Sequence, residues 1–357
     1  MRLDEIDKNL KIETDITEPD LIWLDARSKP FALHGVFYDE TQRCYVRMPQ
    51  AAADRVSPGV AHLNHFTAGG RIRFKTNSSF IAIRAVQKNR TPMTHMTLAG
   101  QSGFDLYRKN EAGEDIWYAT FMPPQGMTEG YSSGRYTDGV MGEYTINFPL
   151  YDGVDELYIA LKKDAVLEAP APYAVEKPIV YYGSSITQGG CASRPGNAYQ
   201  GCLSRWLNAD HINLGFSGSC RAEPDMIAYL AELCKGASAF VYDYDHNTKS
   251  TEHLHQTHMP LYRAVRAANP DLPILFVSAP DLPYHLDTLL PRLEVIRNNY
   301  ETAKAEGDER LWFLPGDRLF AGKGWDGCTV DGCHPNDLGF FRMAEAMEPY
   351  LKEMLGL

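Results

Sequence analysis

The sequence predicts two domains of different class: an all-β, jelly-roll-like sandwich over residues 1–168, then a doubly wound α/β domain with a parallel sheet over 175–357. Three observations lead there. The first 165 or so residues alternate apolar and polar side chains in twos, with frequent Gly, Pro and Asn turns. A Pro- and Ala-rich stretch, LEAPAPYAVEKP at 167–178, then interrupts the chain. Beyond it, short apolar runs alternate with helical periods.

Taken in order, RIRFKTNSSFIAIRAV sets Ile72 and Phe74, then Ile81 and Ile83, on one side between polar partners, and Asn77-Ser78-Ser79 predicts a hairpin turn between them. Tyr144, Ile146 and Phe148 repeat the pattern, as do Leu157, Ile159 and Leu161. Pro170, Pro172 and Pro178 make the interruption a stiff spacer. After it, strands are expected at 179–182, 212–214, 240–242, 274–277 and 311–313. The last helix should bury Leu338, Phe341, Ala344, Met347, Leu351 and Met354, with Asn336 or Asp337 as its cap.

Composition narrows the function. The 357 residues carry 35 basic and 46 acidic side chains, a net charge of -11, and no basic run that could track phosphates, so nucleic acid is not an expected partner. The start, MRLDEIDKNLKIETDITEPD, has no apolar leader and no later run is long enough to span a bilayer, so the expectation is a cytoplasmic protein with no membrane partner. Self-association into a homo-oligomer stays open. Seven scattered cysteines suggest reduced thiols. A zinc reading of CTVDGCH with EHLHQTH is disfavoured: neither Cys-x-x-Cys nor His-Glu-x-x-His occurs, and His253, His255 and His258 fall on different helix faces. No metal and no organic cofactor is expected.

The chemistry gathers at strand ends. IVYYGSSITQGG reads as a buried strand that stops at a tight turn and lifts one hydroxyl out at the carboxyl edge of the sheet, where open α/β sheets bind ligands. The next strands deliver Asn213 to Gly218 and Asp243 to Asn247. Asp331 and His334 arrive before the last helix, at a spacing that lets the carboxylate fix the imidazole tautomer.

These four blocks, in this order over about 177–355, resemble those of the SGNH/GDSL hydrolase superfamily. GSSITQG matches the Gly-Asp-Ser-Leu block, with Ser185 in the nucleophile position. NLGFSG puts Gly218 in the oxyanion position, DHN supplies Asn247, and DGCHP supplies Asp331 and His334. GFDLY at 103–107 resembles the Gly-x-Asp-Leu-Tyr motif of a subgroup with a preceding β-sandwich; there Asp105 reads as a buried hydrogen-bonding anchor. Two departures stand out: Ser184 replaces the usual aspartate, and the third block reads Asp245-His246-Asn247-Thr248 in place of Gly-x-Asn-Asp. Asn213 and Asn197 remain alternatives to Asn247.

The resemblance implies a serine esterase with catalytic Ser185, Asp331 and His334 and an oxyanion hole from Ser185, Gly218 and Asn247. It would act through an acyl-enzyme, removing small acyl groups, acetyl foremost, from a hydroxylated small-molecule or oligosaccharide ester. Two alternatives stand beside it. One is a lysophospholipase or thioesterase, for which Phe216 would line an acyl groove. The other is a catalytically silent carbohydrate-binding protein.

Overall fold

Residues 12–88 and 93–357 are described by the computed structural model, so most of the stretch read for a leader lies outside it. The chain divides into two compact units. One takes residues up to 47, 65–172 and 193–196; the other takes 48–64, 173–192 and 197–357.

The first unit is an antiparallel β-sandwich. One sheet runs Leu21–Asp25, Glu156–Lys162, Phe80–Val86, Gly130–Tyr136. The other runs Leu167–Glu168, Arg71–Thr76, Gly142–Asn147, Phe104–Lys109, Asp115–Phe121, with Ala32–His34 added on Arg71–Thr76. Strand alternation sends Ile72, Phe74, Tyr144 and Ile146 inward from one sheet and Ile81, Ile83, Leu157, Ile159 and Leu161 from the other, into one buried core. Each such side chain contributes roughly 1.5–3 kcal/mol on full burial.

The expected hairpin at Asn77-Ser78-Ser79 is not one. Arg71–Thr76 and Phe80–Val86 lie in different sheets, so these residues carry the chain from one sheet to the other. Their polar groups explain the departure: Asn77 Oδ1 accepts from the Val166 N–H at 2.7 Å and Ser78 Oγ accepts from the Lys162 N–H at 2.9 Å. Each is tied to a backbone N–H more than 80 residues further along the chain, where a hairpin would have turned it to its neighbour.

Asp105 is a fully buried anchor, as the GFDLY motif suggested. Its Oδ1 accepts from Asn147 Nδ2 at 2.8 Å; its Oδ2 accepts from the Gly196 N–H at 2.9 Å and Arg194 Nη1 at 3.1 Å. Arg194 also donates to the Tyr107 hydroxyl, so the two polar residues of the motif hold the segment 193–196. A buried carboxylate is tolerable here because its charge is paired and both oxygens are hydrogen-bonded.

The second unit is built on a parallel sheet in the order Ala209–Gly215, Val175–Gly183, Ala239–Asp243, Ile274–Val277, Leu311–Leu314. Numbered within the sheet this is 2-1-3-4-5, which puts the topological switch point at the carboxyl end of Val175–Gly183. Ile179 to Tyr182 are all buried, as a central parallel strand covered on both faces requires. The helices Gln50–Val56 and Pro58–Leu63 belong to this unit although the sandwich surrounds them in sequence. Asn64 closes that excursion, accepting from the Met48 N–H and donating to the Met48 carbonyl, both at 2.8 Å.

The last helix spans Asp337–Leu355 with Asn336 as cap, its side chain accepting from the Gly339 N–H at 3.2 Å. Its buried stripe is Phe340, Met343, Ala344, Met347, Leu351 and Met354, while Leu338 and Phe341 are exposed. Helical geometry explains the correction. At about 100° per residue, two three-residue steps back from Ala344 place residue 338 about 120° away, whereas residue 340 is only about 40° away.

His258, on the helix Thr251–Ala268, is a core histidine. It packs on Tyr242 and Phe276 with centroids 4.8 and 4.7 Å apart, and burial pushes its pKa down to about 3. The unfolded imidazole gains a proton near pH 6.5 while the folded one stays neutral. Stability should therefore fall as pH drops from about 6.5 towards 3, by a few kcal/mol. Denaturant unfolding at pH 7.5 and 4.5 should show a smaller acid loss for His258→Phe than for the wild type; equal losses would remove His258 as the cause.

Candidate active site

Ser185 follows the first strand of the sheet by two residues and opens the short helix Ser185–Gln188. Gly183 permits this tight start: a Cβ there would lie 1.7 Å from Asp243 Oδ1. Ser184, in the place of the family's aspartate, is the helix cap, its hydroxyl accepting from the Ile186 N–H at 3.2 Å. It is buried, and Ser185 is the serine whose hydroxyl meets the imidazole: Oγ lies 3.0 Å from His334 Nε2.

His334 Nδ1 lies 2.7 Å from Asp331 Oδ2. The other oxygen, Oδ1, accepts from the N–H groups of His334 at 2.7 Å and Cys333 at 3.0 Å. Partial burial works against ionisation of Asp331, but the bonds from His334 and these two N–H groups outweigh it and hold the carboxyl below its ordinary range. Ser185, His334 and Asp331, 149 residues apart in sequence at the extremes, thus form one hydrogen-bonded chain.

Gly218 sits at φ +68°, and a Cβ there would meet nothing within 4 Å. Its glycine is explained by the left-handed backbone of the turn. The same turn is held by Gln188, whose Oε1 accepts from the Ser217 N–H at 3.0 Å. Asn247 ends a single turn, Asp245–Asn247, after the strand Ala239–Asp243. Asn213 is occupied otherwise: its Nδ2 donates to the Thr187 carbonyl at 2.7 Å and its Oδ1 accepts from the Gly215 N–H at 2.9 Å. Phe216, offered as a wall for an acyl groove, is fully buried in the core.

Sequence reasoning did not single out the support beneath the serine. Asp243 is fully buried and accepts from the Thr187 hydroxyl, with the Tyr199 hydroxyl 3.5 Å from its second oxygen. Burial foremost, with the charge of Asp245 adding and the Thr187 bond opposing, pushes its carboxyl up to about 7. A second group lies one residue from Asn247 and one from His334. A His246 ring nitrogen, an Asp281 carboxylate oxygen and Cys333 Sγ lie within 4.8 Å of one another, a donor set able to hold a metal ion.

A five-stranded parallel sheet with an antiparallel sandwich before it in sequence is the build of SGNH hydrolases. The chain belongs to the GDSL-like lipase/acylhydrolase family, whose model matches residues 176–352, and residues 21–167 match the GxDLY domain found at the N-terminus of SGNH-hydrolase-type esterases. It is therefore an esterase of the SGNH/GDSL type. A protein of Bacteroides ovatus described as a GDSL-like lipase is similar over 94% of this chain and 98% of its own, at 27% identity and TM-score 0.83. A salicylyl-acyltransferase from a tetracycline biosynthetic pathway aligns over 95% and 99%, at 17% identity and TM-score 0.76. An acetyl xylan esterase of the rumen bacterium Butyrivibrio proteoclasticus aligns over 94% and 99%, at 14% and 0.58. The last two likenesses are of fold. No curated protein matches the chain. Among the described residues no helix is long and apolar enough to cross a membrane.

Proposed function

We propose that this esterase removes small acyl groups, acetyl foremost, from a hydroxylated substrate such as an oligosaccharide, through an acyl-enzyme on Ser185. The observation that carries the reading is the chain Ser185 Oγ to His334 Nε2 at 3.0 Å and His334 Nδ1 to Asp331 Oδ2 at 2.7 Å. A serine hydroxyl is a weak nucleophile at neutral pH and needs a base at this distance.

As Oγ attacks the ester carbonyl carbon, its proton passes to His334 Nε2, and Asp331 stabilises the imidazolium through Nδ1–H. The carbonyl oxygen becomes an oxyanion, taken up by the N–H groups of Ser185 and Gly218 and the Asn247 side-chain amide. The C–O bond to the alcohol breaks, His334 returns the proton to the departing oxygen, and the acyl group stays on Ser185. Water, deprotonated by His334, then releases the acid.

Two observations favour a short acyl group on a sugar. Phe216, the residue that would have lined a long acyl groove, is core. A chain of the same fold is named an acetyl xylan esterase.

The test is a panel of acetylated saccharides and of simple acyl esters of graded length. Acetyl esters of saccharides should be turned over fastest, with rates falling as the acyl chain grows; a preference for long acyl chains would overturn the substrate reading. On the best ester, Asn247→Ala should lower kcat by about 10²- to 10³-fold with KM little changed. An unchanged kcat would remove Asn247 from the oxyanion hole.

A further inference from the structure

We propose that His246, Asp281 and Cys333 form a binding site for one divalent ion of the zinc class, separate from the Ser185 site. The three donors come from three carboxyl-edge loops of the parallel sheet. His246 lies in the turn after Ala239–Asp243, Asp281 follows Ile274–Val277, and Cys333 lies in the loop before the last helix. Their donor atoms converge within 4.8 Å of one another although up to 87 residues separate them in sequence.

Burial makes the convergence informative. Asp281 is fully buried; its Oδ1 meets His246 Nε2 at 2.5 Å, and its carboxylate also takes the Cys333 thiol as a hydrogen-bond neighbour, so all three donors already face one another out of solvent. A thiol is a weak donor, so a buried carboxylate held this way gains from a cation that meets it directly. His285 Nε2, half-exposed, stands 3.7 Å from Asp281 Oδ2, too far for a hydrogen bond. The Cys333 thiol is pushed up to about 12 by burial first, then by the charges of Asp281 and Asp331 and by its hydrogen bond to Asp281. A divalent ion reverses this, since coordination deprotonates a thiol outright.

The donor types choose the ion. One thiolate, one imidazole nitrogen and one carboxylate oxygen suit zinc and its late first-row neighbours; magnesium and calcium take oxygen donors. Water fills the fourth position. On binding, the Cys333 thiol proton goes to solvent, and His246 ligates through Nε2 as a neutral imidazole with its proton on Nδ1, any second ring proton leaving with the thiol's. The Cys333 thiolate and Asp281 carboxylate then neutralise the two positive charges. Because Cys333 adjoins His334 and His246 adjoins Asn247, a bound ion would tie together the two loops that carry these residues.

Binding is testable without reference to esterase activity, so its failure and that of the serine mechanism are distinguishable. Chelator-stripped full-length protein is titrated with Co²⁺ and, separately, with Zn²⁺. One equivalent of Co²⁺ should produce thiolate-to-cobalt charge-transfer absorption together with tetrahedral d–d bands, and Zn²⁺ should abolish both and raise the Tm. Cys333→Ser should lose the charge-transfer band, and Asp281→Asn should weaken cobalt binding by at least about tenfold, with circular dichroism showing both variants folded. A wild type with no cobalt bands and no zinc-dependent Tm shift overturns the site. Charge-transfer absorption that persists in Cys333→Ser overturns it as well, since another cysteine would then be the ligand.

Discussion

Ser185→Ala is expected to lower ester hydrolysis by about 10⁶-fold and to abolish labelling by a fluorophosphonate probe, while Ser184→Ala keeps the labelling. The two adjacent serines differ in what their hydroxyls do. Ser185 Oγ meets His334 Nε2, the base that would raise its nucleophilicity, whereas Ser184 Oγ is committed to the Ile186 N–H as a helix cap. Losing a cap costs on the order of 1 kcal/mol of stability, so Ser184→Ala should show a small drop in Tm with turnover largely kept. Labelling that disappears with Ser184→Ala and survives Ser185→Ala would reverse the assignment.

Asp331→Asn should cut kcat by about 10⁴-fold with the fold intact. In the native protein Asp331 Oδ2 faces His334 Nδ1, which makes Nδ1–H the favoured tautomer and leaves Nε2 free to take the serine proton. An asparagine presenting its N–H₂ at that position favours the proton on Nε2, and the base is lost. Asparagine is nearly the same shape, and its remaining oxygen can still accept from the N–H groups of Cys333 and His334, so circular dichroism and Tm should change little. A variant that turns over at the wild-type rate would take Asp331 out of the mechanism. One that has simply unfolded would be recognised by its circular dichroism, and Asp331→Glu, which keeps the charge, should then recover part of the activity.

Much of this protein is legible in its residue order. Period-two alternation identified the sandwich strands, and the inward side chains Ile72, Phe74, Ile81, Ile83, Tyr144 and Ile146 are core. The apolar runs beginning at Ile179, Ile212, Phe240, Ile274 and Leu311 all lie in strands of the parallel sheet. These features are local: the period of burial and the turn residues that end it sit within about ten residues of one another. The short blocks that carry Ser185, Asp331 and His334 are legible in the same way, and the structure brings these three side chains into one hydrogen-bonded chain.

Tertiary structure decided what depends on partners distant in the chain. The Asn77 turn looks like a hairpin until Val166 and Lys162 come back to bind it, and residues 48–64 read as part of the sandwich until they pack with the second unit. Nothing near Asp105 announces Arg194, and nothing near Cys333 announces His246 and Asp281. Sequence periodicity records which face of an element is buried, since that repeats every two or 3.6 residues. It carries no record of which loops meet at the carboxyl edge of a sheet, because that follows from the 2-1-3-4-5 strand order, and strand order is settled only when the whole sheet is packed.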